Sequence, residues 1–172
     1  MKTFSDINIR SAISDENSSV FSLIQACIRH MQSQGIDQWD ELYPDLKTVE
    51  NDIQQATSYV ALYDQKIIGT FILNDIQEPE YAEVSWQFTQ GPTAVIHRLM
   101  THPLLEGQGL ARLLMEFAEQ EAMNKGYQTI RLDAFTQNPR AVRFYERLGY
   151  SCAGNVQFRK GSFFCFEKEL IK

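Results

Sequence analysis

The stretch that decides the fold is Leu-Met-Thr-His-Pro at residues 99–103, followed by Leu-Leu-Glu-Gly-Gln-Gly-Leu-Ala-Arg at residues 104–112. A strand pattern ends before Pro103, and helical spacing of apolar residues begins after Gly109. Two glycines and an alanine leave little side chain over the first helical turn, so backbone N–H groups and the positive end of the helix dipole can meet an anion directly. The stretch predicts a strand, turn and helix with an anion site, and a glycine loop that only turns the chain is the alternative.

Two nucleotide-binding motifs have similar glycine spacing, and this turn departs from both. A P-loop requires Lys and then Ser or Thr after its last glycine, whereas Leu110 follows Gly109. A dinucleotide fold requires a third glycine at the position of Arg112, whose bulk opposes close packing of the helix on the strand. Asp133 lies at a suitable distance for a ribose contact, but too little chain follows it for the other crossovers of that fold. The turn therefore predicts neither motif.

Around this unit, apolar periodicity and turn residues predict further helices and strands. Ser14 and Asp15 are expected to cap a first helix that Gly35 ends. Asp64 and Gln65 separate two apolar runs by two residues, which is typical of an antiparallel hairpin. The other predicted helices cover residues 48–55 and 108–125 and run from Pro139 to Gly149. The predicted strands cover residues 7–13, 59–63, 66–74, 93–102, 128–135, 150–158 and 163–167, with residues 83–88 as a strand or strand extension.

The order of these elements predicts the α/β class. It is β-α-α-β-β-β-α-β-α-β-β, which implies a mixed, mostly antiparallel sheet flanked by helices. The chain has no internal repeat, low-complexity tract or linker long enough to separate domains. We therefore expect residues 1–172 to form a single domain, which at this length needs no disulfide framework to fold.

Composition excludes several functional classes. With 22 acidic and 16 basic residues the net charge is -6, which argues against a nucleic-acid partner, because such binding needs a basic face. No apolar run approaches the ~18 residues of a membrane helix, and residues 1–10 lack the apolar core of a secretory signal. We expect a cytoplasmic protein with no membrane partner. The three histidines and three cysteines lack metal-ligand spacing, so we predict no metal site, and Cys27, Cys152 and Cys165 are expected to be buried thiols.

Three segments resemble, in order and spacing, the acetyl-CoA signature of the GNAT N-acetyltransferase superfamily. They are residues 99–103, residues 107–112, and Asn138 with residues 144–150. The resemblance covers about residues 93–150 and implies the GNAT fold, with acetyl-CoA as co-substrate. Two positions depart from the family pattern. Glu106 stands where Arg or Gln usually opens the turn, and its carboxylate would repel a diphosphate unless it points to solvent. Ala111 stands where Gly is commoner.

The resemblance also assigns residues to the cofactor. Backbone N–H groups of the glycine turn would hold the diphosphate, and main-chain groups of the preceding strand would pair with the pantetheine amides as one more strand would. Asn138 would contact the pantetheine arm as well as capping a helix. The strand residues have an alternative role as ordinary sheet members. The implied set is Leu99, Met100, Thr101, Gly107, Gln108, Gly109, Leu110, Ala111, Arg112 and Asn138.

Proton transfer requires an acid and a base. Tyr145 follows Asn138 by two helical turns, and the resemblance implies that it protonates the departing CoA sulfur; the alternative is a core tyrosine. An alkyl ammonium has a pKa of about 10.4, so the acceptor amine must lose a proton before it attacks. Asp133 is the first candidate for the base and Glu83 the second. For either carboxylate, the alternative is a solvated or salt-bridged group.

The acceptor is expected to be a primary amine of a small molecule, polyamine, peptide or protein. Trp39, Tyr43 and Trp86 could form an aromatic wall around it, although a packing role for Trp39 fits equally. No Cys or Ser with a neighbouring His stands out as a nucleophile, so direct attack of the amine on acetyl-CoA in a ternary complex is favoured. The alternatives are a non-catalytic protein that binds or senses acyl-CoA, and a homodimer whose partner strand completes the sheet or pocket.

Overall fold

The computed structural model describes residues 6–170, which contain seven strands in one sheet and four α-helices. The strands are paired in the order β1-β2-β3-β4-β5-β7-β6. Their bounds are β1 (Asn8–Ser11), β2 (Ser58–Tyr63), β3 (Lys66–Asn74), β4 (Thr93–Thr101), β5 (Thr129–Phe135), β6 (Ser151–Phe158) and β7 (Gly161–Glu169). The helices are α1 (Asn17–Ser33), α2 (Leu46–Gln54), α3 (Leu110–Asn124) and α4 (Pro139–Arg147). The predicted α/β class and the mostly antiparallel sheet are confirmed.

The described residues divide into two compact units. The first contains the residues up to Leu73 together with Arg98–Phe117, and the second contains Asn74–His97 together with the residues from Ala118 onward. In no described helix of either unit is there an apolar stretch long enough to cross a membrane.

The first unit is built on the predicted hairpin. β2 and β3 pair antiparallel, with Tyr63 opposite Lys66, and the two turn residues Asp64 and Gln65 have φ of 49° and 61°. The hydrophobic core of the first unit consists of residues of α1, α2, β2 and β4 and of Ala12, which follows β1. Its members are Ala12, Val20, Leu23, Ile24, Cys27, Ile28, Val49, Ile53, Val60 and Met100. Gly69 of β3 gives α3 room, because a Cβ there would lie 2.9 Å from Cδ1 of Leu114.

The second unit is centred on the strand that carries Asp133. β5 pairs antiparallel with β7 along its length, from Thr129 opposite Glu169 to Phe135 opposite Phe163, and β7 pairs in turn with β6. The beginning of β4 pairs with β5 in parallel, from Thr93 to Val95. The side chains of alternate β5 residues point to opposite faces of the sheet, so Arg131 and Asp133 share one face while Ile130, Leu132 and Ala134 are buried on the other.

Two element predictions are wrong. Residues 83–88 form no strand: a 3-10 turn covers Pro79–Glu83, and the backbone N–H groups of Gln87 and Phe88 bond to the Glu167 carboxylate instead of to a neighbouring strand. Ser14 and Asp15 lie in a short 3-10 turn, Ser14–Glu16, and do not cap α1.

The expectation that all three thiols are buried is wrong for one of them. Cys27 and Cys165 are buried, and burial raises the pKa of each thiol to about 12. Cys152 is exposed on β6, the strand at one edge of the sheet. Its thiol donates a weak hydrogen bond to the carbonyl of Gly154 over 3.5 Å.

Candidate active site

The glycine turn of the first unit has the conformation expected of an anion site. Gly107 and Gly109 have φ of 74° and 92°, a region that glycine enters without steric cost, and both are exposed. A Cβ on Gly107 would meet no atom within 4 Å, so the turn needs that glycine for its backbone conformation and not for space. α3 begins directly afterwards at Leu110, so the N–H groups of its first turn have no acceptor within the helix.

Glu106, the departure from the family pattern, is held by a histidine. Nε2 of His30, on α1, lies 2.8 Å from Oε2 of Glu106, and both side chains are one-third exposed. Gln34, the residue that follows the end of α1, contacts the same imidazole nitrogen at 3.1 Å. The carboxylate thus has a fixed partner beside the glycine turn, which the sequence did not reveal.

The strand segment assigned to pantetheine follows a local irregularity of β4. Arg98 has φ of 49°, and its guanidinium donates to Asp52 of α2 over 2.6 Å and to the hydroxyl of Tyr43. Burial raises the pKa of Asp52, and the guanidinium opposes this shift. Arg98 therefore joins β4 to α2 and to the segment before it, immediately ahead of the three strand residues.

These three strand residues differ in exposure. Met100 is buried in the core of the first unit, whereas Leu99 and Thr101 are half-buried. The carbonyl of Thr101 accepts a hydrogen bond from the Cys27 thiol over 3.2 Å. Because Met100 packs inward, only its main chain is suited to a ligand, as the resemblance implies.

The aromatic residues predicted near the acceptor in the first unit have different environments. Trp39 is half-buried and packs against the core of α1 and α2, and its carbonyl accepts a hydrogen bond from Gln32. Tyr43 is 39% exposed and stacks under the Arg98 guanidinium, 5.5 Å from the ring centre. Of the two, Tyr43 offers more surface to a ligand.

In the second unit, Asn138 caps α4 as predicted. Its Oδ1 accepts from the N–H of Ala141 over 3.2 Å, Pro139 occupies the first helical position, and Gly149 follows the helix end with φ of 85°. The side chain is 7% exposed. The capping role is thus confirmed, and the contact with pantetheine stays a prediction.

Tyr145, on α4, packs against three aromatic rings of the second unit. Ring centres of Phe144, Tyr150 and Phe166 lie 5.2, 6.1 and 6.0 Å from its own. Within the part of the chain that the structure describes, its hydroxyl has no hydrogen-bond partner, although a buried tyrosine usually has one. Burial raises the pKa of Tyr145, and the negative charge of Asp133 raises it further, so the phenol stays protonated.

Asp133 is half-buried on β5 and accepts a hydrogen bond from the hydroxyl of Tyr81 over 2.7 Å. Burial raises the pKa of the carboxyl to about 6, and the hydrogen bond from Tyr81 opposes that shift. A carboxylate that titrates near neutral pH and remains partly accessible is suited to accept a proton.

The other two predicted residues of the second unit have less suitable positions. Glu83 is exposed at the end of a 3-10 turn, in the environment of a solvated carboxylate. Trp86 is half-buried, its Nε1 donates to the carbonyl of Tyr81, and the guanidinium of Arg131 lies 4.1 Å from its ring centre. Since one face of the indole is covered by Arg131, Trp86 shapes this region mainly by holding its neighbours.

Three residues of the site could not be predicted from the sequence, because their partners are far away along the chain. His30 lies 76 residues from Glu106, Arg98 lies 46 from Asp52, and Tyr81 lies 52 from Asp133. Only the alternation along β5, which places Asp133 opposite the apolar face, hinted that the carboxylate would face other polar groups.

Comparison with known proteins gives one family. The family model described as acetyltransferase (GNAT) family matches residues 24–150, which is most of the chain. An uncharacterized N-acetyltransferase of Bacillus subtilis, YesJ, is 23% identical over 162 residues, covering 92% of this chain and 88% of that protein.

Solved structures show the same fold. A GNAT-family acetyltransferase from Streptococcus agalactiae superposes with a TM-score of 0.84 at 22% identity and covers 99% of both chains. The PaiA N-acetyltransferase from Thermoplasma acidophilum, solved in complex with coenzyme A, has a TM-score of 0.73 at 20% identity and covers 95% of this chain and 98% of its own.

Proposed function

The chain belongs to the GNAT family of acetyltransferases, and we propose that it moves an acetyl group from acetyl-CoA to a primary amine by direct attack in a ternary complex. The observation that carries this mechanism is the half-buried Asp133 on β5, which the Tyr81 hydroxyl contacts at 2.7 Å; burial raises the pKa of this carboxyl to about 6. Such a carboxylate can take a proton from an ammonium group at neutral pH without forming a covalent intermediate.

The residues of the glycine turn fit the diphosphate of acetyl-CoA. The exposed turn at Gly107 and Gly109 leads into the unpaired N–H groups at the start of α3, which favour an anion without a particular side chain. The coenzyme A complex of the Thermoplasma acidophilum protein supports the same ligand for this chain. When bound, acetyl-CoA supplies the thioester carbonyl that the amine attacks.

Two residues of the second unit would handle the protons. Asp133 accepts a proton from the acceptor amine, which frees the nitrogen lone pair to form the new C–N bond. Tyr145 donates its proton to the sulfur as the C–S bond breaks, so CoA leaves as a thiol. The nitrogen loses its second proton as it becomes an amide, and that proton restores the Tyr145 phenol. Its hydroxyl is suited to this role because it is protonated at neutral pH and engaged by no described residue.

The acceptor is proposed to be a cationic amine, since the protein carries a net charge of -6, which attracts cations at long range. Tyr43 is the best placed of the three aromatic residues to contact it, because it is the most exposed. A single domain over residues 1–172, which extends beyond the described residues, a cytoplasmic location and a homodimer stay predictions.

The test is the release of CoA thiol from acetyl-CoA by the purified protein. A panel of polyamines, amino sugars, amino acids and peptides with free amines is expected to contain at least one acceptor that gives stoichiometric thiol and acetylated product. Product mass distinguishes transfer from hydrolysis. Absence of turnover with every amine, despite measurable binding of CoA, would favour the alternative of an acyl-CoA sensor.

Replacing Glu106 with Gln is expected to tighten binding of CoA by about two- to fivefold at low salt. One negative charge next to the diphosphate is removed, and charges near a helix start have effects of about 0.3 to 1 kcal/mol. Calorimetric titration with CoA measures the change, and it should shrink at high salt.

Glu50→Gln is the matched control, because Glu50 is an exposed carboxylate of the same unit that lies on α2, outside the glycine turn and α3. If both variants change the affinity equally, the effect comes from net charge alone and Glu106 does not oppose the diphosphate locally.

A further inference from the structure

Tyr81 is the residue that fixes the Asp133 carboxylate. Its side chain is 2% exposed, and its hydroxyl donates to Oδ2 of Asp133 over 2.7 Å. Trp86 contacts Tyr81 twice: the indole Nε1 donates to the Tyr81 carbonyl over 2.9 Å, and the two ring centres lie 5.2 Å apart. Trp86 thereby fixes both the backbone and the ring of Tyr81, whose hydroxyl donates to the Asp133 carboxylate.

The connection between β3 and β4, which carries Tyr81, is anchored to β5 by Arg131. This side chain is 7% exposed and lies on the same face of β5 as Asp133. Its guanidinium donates to Oε1 of Gln77 over 2.6 Å and to the carbonyl of Phe88 over 3.1 Å. The same face of β5 therefore contacts the connection at two positions. Arg131 bonds to Gln77 and Phe88, and Asp133, two residues further along β5, accepts from the Tyr81 hydroxyl.

A second anchor comes from β7. Glu167 is 1% exposed, and its carboxylate accepts hydrogen bonds from the N–H groups of Gln87 and Phe88 over 2.6 and 3.2 Å. Buried charges of this kind are retained only with partners, since an unpaired charge costs several kcal/mol. The connection is therefore fixed at Gln77 and at residues 87–88, on both sides of Tyr81.

The hydrogen bond from Tyr81 opposes the effect of burial, which disfavours a negative charge on Asp133. Glu78, on the same connection as Tyr81, adds a second negative charge. From α4 and β7, Tyr145 and Cys165 contribute groups whose own pKa values are raised by burial and by the charge of Asp133. Tyr81 is the side chain whose hydrogen bond stabilises the ionised form.

We propose that Tyr81 is a positioning residue: it donates its hydroxyl hydrogen to Asp133 and so keeps that carboxylate ionised and in one orientation for proton transfer. The use of that carboxylate as a base rests on the proposed function. The hold of Tyr81 on Asp133 does not, and it can be measured without substrate.

The test compares Tyr81→Phe with the full-length parent protein by NMR. The carbon-13 shift of the Asp133 carboxyl carbon is followed across pH, with the signal assigned by its loss in Asp133→Asn. Phe keeps the ring against Trp86 and removes only the donor. Since a hydrogen bond to a charged acceptor is among the stronger ones, we expect the midpoint to move upward by about one pH unit.

Tyr150→Phe is the matched control. Tyr150 is also buried in the second unit, and its hydroxyl also donates to a carboxylate, that of Glu119 over 3.0 Å. This control should leave the Asp133 midpoint within about 0.2 pH units. An unchanged midpoint in Tyr81→Phe, or an equal change in both variants, would overturn the proposal.

The rate profile then separates this inference from the proposed function. With an active acceptor, the acidic limb of kcat/KM in Tyr81→Phe should move with the NMR midpoint, giving a loss of about fivefold at pH 6 that largely recovers near pH 8.5. A purely structural role would lower the rate equally at every pH and would count against positioning. If the parent protein transfers no acetyl group, the proposed function fails, and the NMR midpoint alone decides the role of Tyr81.

Discussion

Replacing Tyr145 with Phe should lower kcat for acetyl transfer by about 10²-fold or more while leaving the affinity for CoA within about twofold. Loss of a positioned proton donor has an effect of this size, because the sulfur then leaves as an unprotonated thiolate. The substitution removes only the hydroxyl, and the ring keeps its contacts with Phe144, Tyr150 and Phe166. Steady-state thiol release gives kcat, and calorimetry gives the affinity.

The free energy of unfolding distinguishes the two roles considered for Tyr145, a catalytic acid and a tyrosine that only packs in the core. The Tyr145 hydroxyl makes no hydrogen bond with residues 6–170, so its removal should change the free energy of unfolding by less than about 0.5 kcal/mol. Tyr150→Phe, which does lose a hydrogen bond to Glu119, is expected to show the reverse: lower stability and nearly unchanged kcat. A Tyr145→Phe variant that is destabilised and fully active would leave Tyr145 with a packing role only.

Most of the fold follows from local patterns in the sequence. Asp64 and Gln65 adopt the positive φ values that a two-residue hairpin requires, and Asn138 with Pro139 begins α4 as expected. These features depend on residues close in sequence. The strand predicted at residues 83–88 does not form because of a contact between residues that are distant in sequence. The N–H groups of Gln87 and Phe88 donate to the buried carboxylate of Glu167, which lies 80 and 79 residues away.

The candidate site was predictable only in part for the same reason. The glycine turn and Tyr145 lie in segments with recognisable spacing, so the residue types alone indicate them. Whether a carboxylate such as Asp133 or Glu83 can act as a base depends on burial and on its partners. Asp133 is half-buried and bonded to Tyr81, whereas Glu83 is exposed, and the residues next to each of them in the sequence do not indicate this difference.

Replacing Asp133 with Asn should lower kcat/KM at pH 7 by about 10²- to 10⁴-fold and, at the same time, stabilise the protein. The rate falls because the amide cannot accept the proton of the acceptor ammonium. The acidic limb of the rate profile near pH 6, which reports deprotonation of Asp133, should disappear with the carboxyl.

The gain in stability follows from the direction of the pKa shift. The pKa of Asp133 is raised from the ordinary value of 3.8 to about 6, so between these values the folded state binds more protons than the unfolded state, and stability falls as pH rises. The ionised carboxylate therefore costs the fold about 2 to 3 kcal/mol at pH 7. Asn avoids this cost and can still accept the hydrogen bond from Tyr81, so the gain should be largest above pH 6 and vanish below about pH 4.

Glu119→Gln provides the control of opposite sign. Glu119 also accepts a tyrosine hydroxyl in the second unit, but its carboxylate is paired with Nζ of Lys168 at 2.8 Å. Removing its charge should lower stability at pH 7 by about 1 kcal/mol with little change in the rate. Denaturant unfolding at several pH values measures both variants. If Asp133→Asn is instead destabilised at pH 7, Asp133 is a structural carboxylate that the fold needs in its charged form, and the base must be sought elsewhere.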